Sequence, residues 1–407
     1  MLQYHVKNII VGKIKSDSGE RDIVMKKIAI IGASYLQEPL IEKAKSMGIE
    51  THVFAWKADD IGERTADYFY PISIVEKENI LKKCQEIGID GICSISSDLA
   101  VVAVNYVAEQ MHLSGNPDSI TLRCTNKHDM RACFEKNGDP SPKSILVEKA
   151  SDLDGVELGY PVIVKPIDRS GSRGISKLDS DEHLEEAIKA AQEQGFIKKA
   201  LVEEYATGQE YSIECVSYNG QHHFLQMTHK YTTGAPRCIE TGHLEPAPVD
   251  GETRERVRKV VFHALDSLGV RNGASHSELK IAKDGTIRII EIGARMGGDF
   301  IGSDLVHIST GIDFVRAVIQ IALGEEPDLT PDRELKTAGV RFIFSQEDAN
   351  VFFRLKKEHP EYIVDYEIND DLTGDVTDSS SRLGYFMMQA DSREQLVDYL
   401  PQQEKAD

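Results

Sequence analysis

The stretch that decides the fold reads Ser275-His276-Ser277-Glu278-Leu279-Lys280-Ile281-Ala282-Lys283-Asp284-Gly285-Thr286-Ile287-Arg288-Ile289-Ile290-Glu291. Asp284-Gly285 between two apolar runs is a two-residue hairpin signal, so residues whose numbers sum to 569 (284 plus 285) are expected to face each other. Glu278 and Glu291 obey that sum, which opposes two carboxylates with Cβ atoms roughly 4.5 to 5.5 Å apart. Like charges so placed destabilise a sheet unless something positive sits between them. Magnesium suits the gap, because it takes hard oxygen ligands and usually binds one or two carboxylates plus the oxygens of a substrate phosphate. A solvated acidic pair beside Lys280 and Arg288 fits the same spacing.

Working outward, Pro161-Val162-Ile163-Val164-Lys165-Pro166 is an apolar strand ending in a lysine, followed by Arg169-Ser170-Gly171-Ser172-Arg173-Gly174. Glycines let successive backbone N–H groups converge on anionic oxygens, and lysine adds a point charge for phosphate. The loop joins two strands and lacks the G-x-x-x-x-G-K-[ST] spacing, so it is no Walker A motif; an ordinary hairpin tip has the same composition. Leu201 to Glu214 reads as a strand that turns at Gly208 into another, a rim able to offer backbone groups to an adenine edge and a carboxylate to ribose hydroxyls. Gly293-Ala294-Arg295-Met296-Gly297-Gly298 puts an arginine four residues after Glu291 at a glycine turn. Such a fork matches phosphate or carboxylate oxygens, or a surface salt bridge.

Residues 25–118 alternate strand and helix: strands at Ile28 to Ile31, Thr51 to Ala55, Pro71 to Val75 and Gly91 to Ile95, helices at Gln37 to Met47, Lys77 to Ile87 and Asp98 to Met111. Apolar strands alternating with helices predict a parallel, Rossmann-like sheet covered on both faces. Its first turn, Gly32-Ala33-Ser34, has one glycine where a dinucleotide fingerprint needs three, so NAD or FAD is not expected there. From Ile145 to Glu291 strands dominate, with strands at Pro161 to Lys165, Ile175 to Leu178 and Ala200 to Tyr205 and a helix at Leu184 to Gln194. Asn219-Gly220 predicts a hairpin, and Val257, Val260, Val261, Ala264, Leu265 and Leu268 an amphipathic helix stopped by Gly269. The tail is mixed, with strands at Ala338 to Phe344 and Leu383 to Gln389 and a helix near Ser392 to Leu400. Residues 1–24 precede the first strand, carry no signal-peptide pattern and are expected to be a disordered, dispensable extension.

Charged residues are 28% of the 407, and the apolar set is 41%, a globular balance; no run approaches the roughly 18 apolar residues of a membrane span. Lysine and arginine number 47 against 67 acidic residues, a net charge of −20 that repels phosphate backbones, so nucleic acid is not an expected partner. Six cysteines without a C-x-x-C pair predict reduced thiols and a cytoplasmic location. The histidines (His222, His223, His229, His243) lack zinc spacing.

Lys127, Lys165-Pro166, the 170–174 loop, Glu203-Glu204 with Gly208-Gln209-Glu210, and Glu278 thirteen residues before Glu291 together resemble the ATP-grasp superfamily of carboxylate ligases. Glu240-Thr241-Gly242-His243 and the 291–298 run resemble, within it, the L-amino-acid ligases that make dipeptides. The resemblance implies a mixed α/β and α+β chain: a Rossmann-like N-terminal domain (25–118), an ATP-grasp domain (119–330, nucleotide lid about 119–205) and a small mixed C-terminal region (331–407). It implies Lys127 and Lys165 on the ATP phosphates, Ser170, Gly171, Ser172 and Gly174 as a lid, and Glu203 with the backbone of Glu204, Tyr205 and Ala206 at adenine. Glu210 would meet ribose, Glu278 and Glu291 magnesium (or manganese), and Arg295, with Lys165, the reacting phosphoryl group. Glu240, His243, Arg295 and Gly298 would line the substrate site. Many superfamily members have asparagine two residues after the second glutamate; here that position is Gly293, so Glu240 or water is expected to complete any second metal site. The implied reaction activates a carboxylate, such as an amino acid's, with ATP and joins it to a small-molecule amine, in a chain that is a candidate homodimer. Ligation or carboxylation of another carboxylate and a catalytically silent nucleotide-binding module are the alternative readings.

Overall fold

In the computed structural model, the described residues are 25–402 except 170, 172 and 236; the expected extension 1–24, Ser170 and Ser172 lie outside them. The first sheet holds β1 (Lys27–Ile31), β2 (Glu50–Phe54), β3 (Tyr68–Tyr70) and β4 (Gly91–Cys93), all parallel, in the order β3-β2-β1-β4. The third strand lies at Tyr68–Tyr70 and not at Pro71 to Val75. Pro71 has no N–H to give a ladder, and Ile72 and Ile74 fill the core from a loop instead.

A second, antiparallel sheet comprises β5 (Ser144–Val147), β6 (Val162–Pro166), β7 (Ser176–Leu178) and β8 (Ala200–Glu204), ordered β5-β8-β6-β7 and backed by helix Leu184–Gln194. The third has eight strands: β9 (Gln209–Tyr218), β10 (Gln221–Thr232), β11 (Glu240–Glu245), β12 (Gly273–Ile281), β13 (Ile287–Gly293), β14 (Thr337–Phe342), β15 (Ile363–Ile368) and β16 (Gly384–Ala390). Their order is β13-β12-β9-β10-β11-β14-β16-β15, so the tail's strands extend the central sheet. Helix Gly251–Leu268 covers one part of it with Val257, Val261, Ala264, Leu265 and Leu268 buried, and Gly269 stops the helix at φ +87°. Asn219-Gly220 makes the β9–β10 turn with both residues at positive φ (53° and 81°), as a primed turn requires.

The β12–β13 turn is one residue longer than Asp284-Gly285 suggests. Ala282 N–H donates to the Thr286 carbonyl at 2.9 Å and Gly285 N–H to the Ala282 carbonyl at 2.9 Å, so the turn spans three residues with Gly285 at φ +82°. Facing pairs beside it therefore sum to 568 (Ile281 with Ile287, Lys280 with Arg288, Leu279 with Ile289). A bulge between Glu278 and Leu279 then takes up Ile290 and restores Glu278 opposite Glu291. The Ile290 carbonyl accepts from Arg131 Nη2 at 2.7 Å.

Helix Phe314–Ala322 passes unnoticed in the sequence because it is short and its run FVRAVIQIA is nearly all apolar; Arg316 and Gln320, four residues apart, mark the one face that is not buried. It packs Phe314, Val315, Val318 and Ile319 into one core with Ile28 and Ile30 of β1 and Val216 of β9, fixing the first sheet against the third. Residues 392–400 form only a short 3₁₀ turn at Arg393–Gln395. The carbonyls of Tyr399 and Leu400 accept from Arg341 at 3.2 and 3.0 Å instead, while Leu396, Tyr399 and Leu400 still bury their side chains. Among the described residues no single helix is long and apolar enough to cross a membrane.

Candidate active site

A cleft of about 160 Å³ lies between the lid sheet and the central sheet. Lys127, Lys165, Gly171, Glu203, Tyr205, Ala206, Glu210, Glu240, Glu278, Glu291 and Arg295 all line it, so five segments far apart in sequence converge on one space. Glu204, Gly174, His243 and Gly298 do not line it. The N–H of Glu204 is taken by the Lys143 carbonyl at 3.0 Å and that of Tyr205 by the Pro161 carbonyl at 3.0 Å, so neither of these two N–H groups is open to an adenine edge. Gly174, at φ +68°, packs where a Cβ would lie 3.0 Å from Gln194.

The phosphate side is built on buried cations. Lys127 opens helix Lys127–Asn137, whose N-cap Asn126 accepts from the N–H groups of His128 and Asp129. Its Nζ donates to Glu291 Oε1 and to the Arg169 carbonyl, both at 2.8 Å. Lys165 ends β6 and forms an ion pair with Glu203 on β8; Glu203 also accepts from Arg131 Nε at 3.1 Å. The Glu203 carboxylate thus joins two cations and does not reach for adenine. Burial pushes its pKa up, but Arg131 and Lys165 outweigh burial and the net shift is down. One carboxylate between two cations leaves surplus positive charge, which suits a phosphate chain. Burial, with Arg131 and Lys127 nearby, pulls Lys165 below the usual lysine range despite Glu203.

Lys230, two residues before the end of β10, answers the problem of the opposed carboxylates, and no motif in the sequence singles it out. It is buried, pairs with Glu278, and lies 3.1 Å from Glu210 and 3.6 Å from Glu240. Burial lowers its pKa, but the three carboxylates outweigh that and hold it well above the ordinary lysine value. The signal that marks Lys165, a lysine closing an apolar run, is absent here: Gln226, Thr228 and Lys230 occupy alternate positions of the strand. His276, beside Glu278, pairs with buried Glu214; burial lowers its pKa, yet Glu214 carries the net value up to about 9.

Arg295 is held by Asp98 through a two-pronged contact at 2.7 and 3.1 Å. Asp98 comes from the first turn of helix Asp98–Gln110 in the N-terminal unit, where it reads simply as an acidic residue at a helix start. This pair explains Gly293: a Cβ there would lie 2.9 Å from Asp98 Oδ1 and 3.2 Å from Arg295 Nε. The arginine fork occupies the space an asparagine would need. Nor is Glu240 free to replace one, since its Oε2 accepts from Arg382 and from Ser379, each at 3.0 Å. His243 is buried behind the cleft, 3.7 Å from Asp299, with neither ring nitrogen hydrogen-bonded among the described residues; burial lowers its pKa more than Asp299 raises it. Gly298 sits against Ser96, its Cβ position 3.7 Å from that side chain.

Residues 158–304 match the family model described as ATP-grasp domain. Alanine–anticapsin ligase of Bacillus subtilis (strain 168) is 25% identical over 280 residues, covering 63% of this chain and 58% of that protein, less than two thirds of its length. D-alanine–D-alanine ligase of Thermoanaerobacter sp. (strain X514) is 26% identical over 302 residues, 69% of this chain and 72% of that one. The crystal structure of L-amino acid ligase from Bacillus licheniformis superposes with a TM-score of 0.78 at 26% identity, covering 92% of this chain and 96% of that structure. With its lid sheet, central sheet and converging lysines and glutamates, this chain carries an ATP-grasp domain in an ATP-grasp fold and resembles the amino-acid ligases of that superfamily.

Proposed function

We propose that the protein is an ATP-dependent ligase that joins a carboxylate, that of an amino acid, to a small-molecule amine through an acyl phosphate, releasing ADP and phosphate. The observation that carries this reading is the convergence of Lys127, Lys165, Glu278, Glu291 and Arg295 on one cleft. A free carboxylate resists attack by an amine because its leaving group would be oxide; transfer of a phosphoryl group makes that leaving group phosphate. Lys127 and Lys165 would bind the phosphate oxygens, and Arg295, oriented by Asp98, would hold the acyl phosphate oxygens. Glu278 and Glu291 fit magnesium: they are hard oxygen donors paired on neighbouring strands and open to one cleft, with phosphate and water left to complete the shell. When bound, magnesium supplies charge neutralisation at the transferring group. The Gly171 loop would exclude water that otherwise hydrolyses the acyl phosphate. The free cysteines support a reducing, cytoplasmic setting.

The test is ADP release over a panel of carboxylates with hydroxylamine as the nucleophile. A hydroxamate that depends on ATP, and whose yield falls when the true amine competes, is expected; AMP and pyrophosphate as products would mean an acyl adenylate and would overturn the reading.

A further inference from the structure

A second cavity, of about 780 Å³, lies against the same wall that bounds the cleft. Arg382 joins the two: it lines the second cavity, donates to Asp299 at 2.9 Å and to Glu240 of the cleft at 3.0 Å, and stacks 3.7 Å over Phe342. Its side chain is 7% exposed, and its buried Nε has no hydrogen-bond partner among the described residues. Ser96, another wall residue, precedes Asp98, the partner of Arg295, by two positions.

The lining is one-sided in charge. Glu38, Glu42, Asp299, Asp304, Asp365 and Glu367 face the space, and Arg382 is the lone lysine or arginine among the lining residues. Arg382 is already neutralised by two carboxylates, so its charge does not offset the rest. Burial pushes Asp304 above the usual carboxylate range and Asp365 adds to the push, so like charges confront each other there. Apolar shape accompanies the charge: the rings of Phe300 and Tyr385 lie 4.3 Å apart, and the Tyr385 hydroxyl donates to Asp365 at 2.7 Å. Ser96, Asp299 and Phe300 hold positive φ (58°, 52° and 65°), unusual for side-chain-bearing residues and characteristic of functional sites.

We propose that this cavity receives the amine co-substrate and selects one bearing a second positive charge, such as a diamine or an amino acid with a basic side chain. The proposal rests on the ligase reading above. A carboxylate substrate would be repelled here and belongs beside Arg295 and the lysines. An extended organic cation satisfies both features, setting methylenes on the aromatic pair and its charge among the carboxylates.

The experiment compares matched amines on the full chain, L-lysine with L-norleucine and 1,4-diaminobutane with butylamine, using the carboxylate that gives most hydroxamate. The charged member of each pair should have the higher kcat/KM by roughly tenfold or more, and the gap should narrow in 0.5 M salt. Asp365→Asn with Glu367→Gln, both exposed at the rim, should reduce that preference several-fold; a melting curve checks folding. Hydroxamate formation together with equal or better use of the neutral amines, or a preference untouched by the double substitution, would overturn the proposal while leaving the ligase reading intact. Absence of hydroxamate from every carboxylate would sink the ligase reading instead. The cavity would then be judged by calorimetry with 1,4-diaminobutane: binding weakened by the double substitution supports the cation site, and no heat at 10 mM overturns it.

Discussion

Lys230→Met should destabilise the protein strongly, and the structure supplies the size of the effect. The ammonium is buried, with side-chain exposure of 3%, and sits 3.1 Å from Glu210 and 3.6 Å from Glu240 besides its pairing with Glu278. At an effective dielectric constant near 20, each of the two measured contacts is worth about 5 kcal/mol of Coulomb attraction. Desolvation of the ammonium offsets several kcal/mol of that sum. Methionine fills most of the volume but leaves three carboxylates confronting each other, so the net loss should be on the order of 3 to 5 kcal/mol, the range for removing one member of a buried ion pair. Urea unfolding followed by circular dichroism reads it directly. Magnesium should restore part of the loss in the variant more than it stabilises the parent, because it supplies positive charge to the same carboxylates. Lys259→Met, removing an exposed lysine 3.7 Å from Glu255, is the control and should leave the midpoint unmoved. A Lys230→Met midpoint equal to that of the parent would refute the view that this lysine balances the acidic cluster.

Glu278→Gln and Glu291→Gln should each abolish ADP release while the fold persists; near-normal turnover in either would exclude the shared magnesium site. Arg295→Ala should lower turnover about 100-fold, on the order of 3 kcal/mol, through loss of a charged fork at the developing acyl phosphate. Asp98→Asn, which keeps the shape but frees the arginine, should lower kcat more than it raises KM; a pure KM effect would argue against a positioning role. Glu245 is fully buried, accepts from Thr228 and Ser309 at 2.7 and 2.9 Å, and burial carries its pKa from 4.5 up to about 8. Between those values the unfolded chain has released a proton that the folded chain keeps, so this group makes stability fall as pH rises from about 4.5 to about 8 and adds no slope above. Over that window the loss is roughly 4 to 5 kcal/mol, and the stability of Glu245→Gln relative to the parent should climb with pH by a comparable amount. A pH-independent difference between the two would show that Glu245 titrates normally.

Some of the fold was legible because local signals and tertiary structure agreed. Leu184–Gln194 and Lys77–Ile87 follow their helical periodicity, and Asn219-Gly220 turns where its dipeptide predicts. The pairing of Glu278 with Glu291 was legible for an incomplete reason. The sequence suggests a two-residue turn and unbroken register, whereas the chain makes a three-residue turn and a compensating bulge at Ile290. One residue was added at the tip and one was absorbed beside the site, so the facing pair came out unchanged. A bulge has no strong sequence signature, and a helix as short as Phe314–Ala322, with Arg316 and Gln320 its two polar residues, reads as an apolar run that a buried strand would also give.

The polar half of the site was hidden for a deeper reason. Glu210, Ser212 and Glu214 on β9, Gln226, Thr228 and Lys230 on β10, and His276 and Glu278 on β12 occupy alternate positions, at the period of two that defines a strand face. In sequence this is the pattern of a sheet with one face in the core and the other in water. In the structure the polar face is itself interred: Ser212, Glu214 and Thr228 are 0% exposed and Lys230 is 4%. Hydropathy alternation reports which residues share a face but not whether another layer covers it. The covering layers here come from elsewhere in the chain, the lid strands before Glu204 and the helix that brings Asp98. Charges that would each be unremarkable in water must then find partners inside, and they do so across strands far apart in sequence: Lys230 with Glu278, His276 with Glu214, Lys127 with Glu291. That makes Lys230 and His276 invisible as sequence motifs, yet their pairing follows from elementary electrostatics once the face is known to be buried.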